Sequence, residues 1–330
     1  METISVPGLD TAVSRVALGT WAIGGWMWGG TDEALSIRTI HAALDRGINL
    51  IDTAPVYGFG TSEEIVGKAV KEYGRREELV IATKAGLNWN AQKTAVWRDS
   101  SPDRLRREVE DSLRRLRTDA IDIYQVHWPD PEVPFAETAD ALARMQKEGK
   151  IRVSGVSNYT AGQMKAFQEA AELGVCQPPF NIFERAAENE ILPYCRESGI
   201  GTLAYGALCR GLLSGKMSRE RTFEGDDLRK IDPKFSRPRF DQYLSAASQL
   251  DSYARSHHGK SVIHLAVRFI LDTGVSAALW GGRRPDDFSP LPEMFGWQLE
   301  AADFEEIDRI LADTITDPVG PEFMAPPARK

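Results

Sequence analysis

The segment Gly47-Ile48-Asn49-Leu50-Ile51-Asp52-Thr53-Ala54-Pro55-Val56-Tyr57-Gly58 decides how the chain is read. It opens as an apolar, partly β-branched run of the kind that fills a buried strand. The run stops at an acid, Asp52, and the chain then turns on Pro55 and Gly58. A carboxylate and a phenol therefore stand close together just past a strand end.

Outward from this segment the same pattern repeats. Upstream, Val16-Ala17-Leu18-Gly19-Thr20 reads as a strand, Trp21 to Gly30 as an aromatic–glycine loop, and Glu33 to Arg46 as a helix stopped by Gly47. Downstream, a helix over Ser62–Tyr73 leads to the strand Leu79–Lys84 and to a loop carrying Trp89 and Trp97. Ser101-Pro102-Asp103 opens an amphipathic helix with Leu105, Val109, Leu113 and Leu116 on one face. The strand Ile121–His127, a helix over about 135–148, the strand Ile151–Val156 running into Ser157-Asn158, and a helix over 161–173 follow. A short strand at 175–177, a helix over 188–198 and the strand Gly201–Tyr205 continue the series. Next comes a long polar loop, about 206–238, longer than an ordinary connection and a candidate lid. Helices over 240–257 and 261–272, a last strand at 275–280 and a helix over about 302–311 precede a Pro-rich tail, about 312–330.

Repeated strand–helix alternation without an internal repeat or linker predicts one domain over 1–330. The predicted fold is α/β, a single (β/α)₈ TIM barrel with a long loop after strand 7 and a C-terminal tail. An open doubly wound sheet is the competitor. It announces its nucleotide site by Gly-x-Gly-x-x-Gly after the first strand, and Gly19-Thr20-Trp21-Ala22 does not match.

Composition narrows the function classes. Net charge is −8, which argues against nucleic-acid and anionic-membrane surfaces. Cys176, Cys195 and Cys209 have neither metal-ligand nor disulfide-framework spacing, as in a reducing compartment. No apolar run approaches the roughly 20 residues of a membrane span, and no secretory leader opens the chain. A cytoplasmic protein is the expectation.

In a barrel, chemistry sits at the carboxyl ends of the strands. Those ends carry Thr20-Trp21, Asp52, Lys84, His127, Ser157-Asn158, Gln177, Tyr205 and Gly281. Singly, Asp52 could cap a turn, Tyr57 could pack a loop and His127 could be a core histidine. Together they suggest a proton-delivery site. A lysine beside a tyrosine is expected to lower the phenol pKa, Asp52 to hold the lysine charged, and His127 to hydrogen-bond a substrate oxygen. One histidine and one carboxylate fall short of a usual metal set, so no metal is expected.

These segments resemble the aldo-keto reductase family. The likeness is carried by Asp52-Thr53-Ala54-Pro55-Val56-Tyr57-Gly58, Ser62-Glu63-Glu64, Thr83-Lys84, Val126-His127-Trp128-Pro129-Asp130, Gly155-Val156-Ser157-Asn158-Tyr159 and Gln177-Pro178-Pro179-Phe180-Asn181. It covers nearly the whole chain. The run Ala204 to Lys216 resembles the branch with bacterial aldehyde reductases and potassium-channel β subunits. Trp21 to Gly30 and Phe323-Met324-Ala325-Pro326-Pro327 look like glyceraldehyde reductase/glycerol dehydrogenase-type members.

The resemblance implies NAD(P)H-dependent reduction of an aldehyde or ketone, with Asp52, Tyr57, Lys84 and His127 as the catalytic tetrad and Tyr57 as general acid. It implies cofactor contacts from Thr20, Trp21, Asp52, Ser157, Asn158, Gln177, Tyr205, Gly206, Leu208, Arg210, Gly211, Lys216, Gly281, Gly282, Arg283 and Asp287. Tyr205 would stack on the nicotinamide, with Ser157, Asn158 and Gln177 on its carboxamide. Trp21, Trp26, Trp28, Trp89 and Trp128 would line the substrate cavity, open to aldehydes, small ketoses or a bulky cyclic ketone. The family usually has Gln or Arg near position 287, followed by Glu-Asn. Here Asp286-Asp287-Phe288 stands instead, which repels a ribose 2′-phosphate while Lys216, Arg283 and Arg284 attract it. NADPH is the expected cofactor, with NADH also accepted. Partners are a small-molecule carbonyl substrate, with no nucleic acid and no membrane, the chain being a monomer or a weak homo-oligomer. A polyol or alcohol dehydrogenase running in the oxidative direction, and a redox-sensing regulatory subunit, are the alternatives.

Overall fold

The computed structural model describes residues 1–329. Eight parallel strands close into a barrel in chain order: β1 (Val16–Gly19), β2 (Leu50–Asp52), β3 (Val80–Ala85), β4 (Ile121–Val126), β5 (Ile151–Ser157), β6 (Val175–Gln177), β7 (Gly201–Ala204) and β8 (Ala277–Gly281). The seam is β8 against β1, where Ala278 faces Val16 and Gly281 faces Gly19. The predicted barrel is thus the observed one.

Helices α1 (Glu33–Leu44), α2 (Thr61–Tyr73), α3 (Pro102–Leu116), α4 (Phe135–Lys147), α5 (Ala161–Gln168), α6 (Ile191–Glu197), α7 (Arg239–His258) and α8 (Val262–Asp272) surround it, and α9 (Ala301–Thr314) packs on α7. The outward strand residues Leu18, Ile51, Ile81, Tyr124, Val126, Val156 and Trp280 share one buried cluster with the helix faces. The inward set, Ala17, Leu50, Val80, Ala82, Ile123, Val153, Val175, Leu203, Ala277 and Leu279, forms a second. Val6 and Val13 join this inner cluster from the N-terminal hairpin that pairs Thr3–Ile4 with Val13–Ser14.

Side chains on a strand alternate faces, so each inward series can be followed toward the carboxyl end. Leu50 gives way to Asp52, Val80 and Ala82 to Lys84, Ile123 to Gln125, Val153 and Gly155 to Ser157, and Val175 to Gln177. The interior is aliphatic below and polar at the top, and that polar layer is the floor of the site. Gly155 leaves space for it: a Cβ there would lie 2.7 Å from Gln125 Cγ.

Several element boundaries differ from expectation. Trp89 and Trp97 lie on an antiparallel hairpin, Leu87–Trp89 paired with Val96–Arg98, and not in a loop. The Asn90 side chain closes it by accepting from the Thr94 and Ala95 N–H groups. The expected 188–198 helix shrinks to α6 because Pro193 is tolerated only in a first turn. The 161–173 helix ends at Gln168, after which Ala170 N–H bonds Phe167 O in a tighter turn. Segment 206–238 is built from the 3₁₀ turns Cys209–Ser214, Leu228–Lys230 and Pro233–Phe235. Among the described residues no helix is long and apolar enough to cross a membrane.

Candidate active site

The Trp21–Gly24 turn after β1 sits against the Tyr57-Gly58 turn after β2. The approach is close enough that a Cβ on Gly58 would lie 2.2 Å from Gly24 O, so glycine is required there. The contact brings Trp21 and Tyr57 into a stack, centroids 5.9 Å apart and planes at 20°.

Beneath Tyr57 lies Lys84, fully buried. Its ammonium donates to Asp52 Oδ1 at 2.5 Å, to Thr53 O at 2.9 Å and to the Tyr57 hydroxyl at 3.3 Å. Asp52 Oδ2 accepts from Gln177 Nε2 at 2.8 Å and from Gln125 Nε2 at 3.3 Å. His127, just past β4, meets the Tyr57 ring edge-on at 5.8 Å. The structure therefore brings Asp52, Tyr57, Lys84 and His127 together from three consecutive strands.

The electrostatics depart from one expectation. Burial pushes the Tyr57 pKa well above its ordinary value and Asp52 adds to the rise, so the phenol is raised rather than lowered. A phenolate removed from water and set beside the Asp52 carboxylate costs more than the neutral phenol. Burial also pulls Lys84 down against the upward pull of Asp52. Burial, then the Lys84 charge, holds His127 well below the usual histidine range, so its imidazole is neutral.

Two cavities meet at Tyr57, Trp21, Tyr205 and Met324. The smaller, about 240 Å³, is walled by Trp26, Met27, Val56, Leu87, Val96, Trp128, Phe323, Met324 and Pro326, with His127, Ser157, Asn158 and Gln177 on its surface. The larger cleft, about 800 Å³, runs past Thr20, Asp52, Gly206, Leu208, Gly211 and Lys216 to Gly281, Gly282, Arg283 and Asp287. That is within the size range of small-molecule and cofactor sites. The Trp21 and Trp28 indole N–H groups are buried donors without a partner in the described structure, and both residues line the cleft. A cationic far end, unpaired donors and a long concave floor fit a nicotinamide dinucleotide.

Several expected site residues sit elsewhere or are engaged differently. Trp28 turns into the larger cleft, edge-on to Trp21 at 5.7 Å, because Arg283 donates to Trp28 O and Gly30 O at 2.6 Å each. Trp89 is outside the substrate cavity, packed on Phe59 at 5.5 Å and under the Arg104 guanidinium at 5.3 Å. Arg210 borders the cleft but its charge is turned inward, onto Glu184 Oε1 and Asp232 Oδ2 at 2.5 Å each. Burial opposes ionisation of Glu184, yet Arg210 and Lys234 outweigh it and hold that carboxyl at about 2. Asp287 accepts from the Arg283 and Arg284 backbone N–H groups at 3.0 and 3.1 Å and pairs with Lys216 at 3.0 Å. It is a turn cap in an ion pair, not a free repulsive charge. Thr20 Oγ1 donates to Asp52 O at 2.9 Å, bracing the strand end. Tyr205 OH donates to Asn158 Oδ1 at 2.8 Å, and Asn158 Nδ2 in turn donates to Ser157 Oγ and His127 O at 3.0 Å each.

Sequence reasoning missed Gln125 and the walls Met27, Val96 and Phe323. Gln125 was visible as the inward residue two before His127. The walls carry no local signal, since they come from a loop, a hairpin and the tail.

A closed barrel with this charged floor, opening into an apolar pocket and a long cleft, is the architecture of an aldo-keto reductase. The chain belongs to the aldo/keto reductase family, whose sequence profile matches residues 15–312, and is an oxidoreductase that uses a nicotinamide cofactor. It is 57% identical to the aldo-keto reductase YhdN of Bacillus subtilis (strain 168) over 331 residues, covering 100% of this chain and 99% of that one. It is 41% identical to the NADH-specific methylglyoxal reductase of Escherichia coli (strain K12) over 244 residues, 70% of this chain and 74% of that one. Among solved structures, the glycerol dehydrogenase AKR11B4 from Gluconobacter oxydans matches with TM-score 0.89 and 54% identity, covering 98% of this chain and 99% of that chain.

Proposed function

We propose that the chain reduces small aldehydes or ketones to alcohols, with Tyr57 as the general acid. The carrying observation is the Lys84 ammonium, 2.5 Å from Asp52 and 3.3 Å from the Tyr57 hydroxyl at the junction of the two cavities. When bound, a reduced nicotinamide supplies hydride to the carbonyl carbon. Tyr57 supplies the proton to the carbonyl oxygen, and Lys84 stabilises the phenolate left behind. Asp52, itself oriented by Gln177 and Gln125, keeps Lys84 charged and aimed. Neutral His127 donates a hydrogen bond to the same oxygen. Trp21, Trp26 and Trp128 give the pocket an apolar wall that excludes water, and its small volume suits compact carbonyls.

The cofactor would lie in the larger cleft with its far end near Lys216, Arg283 and Asp287, and its nicotinamide would reach the junction at Tyr205, beside Ser157, Asn158 and Gln177 of the adjoining pocket. Trp28, with its unpaired N–H in that cleft, joins this set. Because Asp287 is already paired with Lys216, its charge discriminates weakly against a 2′-phosphate. NADPH is the favoured cofactor and NADH a working second. The name of the Escherichia coli relative shows NADH use elsewhere in the family, and that of the Gluconobacter relative points to the oxidative direction. The raised pKa of Tyr57 keeps its phenol protonated at neutral pH, the form a proton donor needs.

The test is cofactor oxidation with NADPH and with NADH against aldehydes, ketoses and cyclic ketones, with Tyr57→Phe alongside. Full activity in the variant overturns the mechanism, and NADH binding orders of magnitude weaker than NADPH overturns the cofactor reading.

A further inference from the structure

We propose that Arg98 is a positioning residue for the carbonyl substrate. It locks the C-terminal tail and the Trp128 wall into one unit and so sets the width of the pocket. The inference rests on the carbonyl-reductase reading above.

Arg98 is the last residue of the hairpin whose Leu87 and Val96 line the substrate pocket. Its side chain bridges two distant segments, with Nε donating to Pro326 O at 2.7 Å and Nη1 to Pro129 O at 3.0 Å. Its backbone N–H donates to Pro327 O at 3.0 Å. The guanidinium lies 5.7 Å over the Trp128 ring. Next to it, Asp99 pairs with Arg329 at 3.2 Å.

The tail is thus a strap with two anchors. Its other anchor is Lys234, which donates to Gly320 O at 3.1 Å, with Tyr243 OH accepting from Val319 N–H at 3.3 Å. Between the anchors run Phe323, Met324 and Pro326, which face the pocket. Pro326 and Pro327 have no N–H of their own, so their carbonyls are their only hydrogen-bonding groups. Arg98 on the hairpin supplies the donors, one from its side chain and one from its backbone. A planar guanidinium can serve two carbonyls on different segments at fixed angles, whereas an ammonium is a single mobile point of donation.

The full-length Arg98→Met and Arg98→Lys variants test this. Methionine keeps bulk over Trp128 and removes the donors, and lysine restores one. The readouts are kcat and KM for glyceraldehyde and for a bulkier aromatic aldehyde, cofactor KM, and deuterium uptake of the 319–328 peptide without substrate. Arg98→Met should raise the glyceraldehyde KM about tenfold, with kcat and cofactor KM within about twofold, as expected for lost ground-state positioning. Its preference for the smaller aldehyde should shrink, its tail peptide should exchange faster, and Arg98→Lys should fall between. An unchanged glyceraldehyde KM, or an equal loss in kcat and cofactor KM, overturns the proposal. If the wild type reduces neither aldehyde, the functional reading fails, and unchanged exchange in Arg98→Met then refutes the anchoring separately.

Discussion

Lys84 holds Tyr57 from below: its ammonium is 3.3 Å from the phenol oxygen and tied to Asp52 at 2.5 Å, with no exposed surface on the lysine. If this contact serves proton delivery, deleting one oxygen atom stops turnover without disturbing the fold. Tyr57→Phe should lower kcat by about 10²–10⁴ while cofactor binding, read by fluorescence titration, stays near wild type. A variant with wild-type kcat would remove Tyr57 from the reaction.

The pH dependence follows from the signs of the shifts. Tyr57 is raised and so stays protonated through the neutral range, and His127 is lowered and so stays neutral there. Reductive kcat/KM should be nearly flat from about pH 6 to about pH 9, because neither group changes charge in that interval. Alcohol oxidation needs Tyr57 to accept a proton, and its rate should climb with pH over the same range. A reductive profile that collapses near neutrality would show that a different group delivers the proton.

At the far end of the cleft, Asp287 cancels Lys216. Asp287→Gln frees that lysine for a 2′-phosphate and should shift preference toward NADPH. The ratio of kcat/KM for NADPH over NADH should rise about tenfold, the gain of one charge-assisted contact. An unchanged ratio would mean that neither side chain reads the ribose.

Glu108, behind the barrel on α3, links stability to pH. Burial pushes its pKa up to about 7, against Arg104 and the Gly86 N–H, from 4.5 for an unperturbed glutamate. Between those two values the native state binds the extra proton, so stability declines as pH rises through that window. The decline is on the order of 3 kcal/mol at most. Glu108→Gln, neutral throughout, should show a smaller drop in urea-unfolding free energy between pH 5 and pH 8 than wild type. Equal drops would place the titration elsewhere.

How much of this was legible in the sequence depends on the range of the forces involved. Strand periodicity with the carboxyl-end rule located Asp52, Lys84 and His127, because each is fixed by its own strand. The same rule applied one step further would have found Gln125. The tryptophans were less readable. Trp89 faces away because it sits on a hairpin, and Trp28 because Arg283 holds its loop, neither of which is local. Arg210 reads as a free cation until Glu184 and Asp232 fold against it. The direction of the Tyr57 shift is not legible in the sequence because desolvation depends on what packs around the phenol, such as the stacked Trp21 ring, which residue types alone do not reveal.

The two loops over the larger cleft are held by bonds of different kinds. Glu184, Arg210, Asp232 and Lys234 tie segment 206–238 down through fully enclosed charges. Separating those charges leaves them uncompensated, at about 3–5 kcal/mol for each broken pair. The Trp26–Gly30 loop is held by water-accessible bonds, with Asp226 accepting from Met27 and Gly29 N–H at 2.8 and 3.1 Å. The Trp26–Gly30 loop is therefore the more easily displaced of the two walls. Asp226→Ala should speed NADP⁺ release several-fold in stopped-flow traces, roughly the effect of two exposed hydrogen bonds. An unchanged release rate would put the entrance elsewhere. Turnover paced by that release would be set by two exposed hydrogen bonds rather than by the chemistry beneath them, so the enzyme could be made faster without touching its reacting groups.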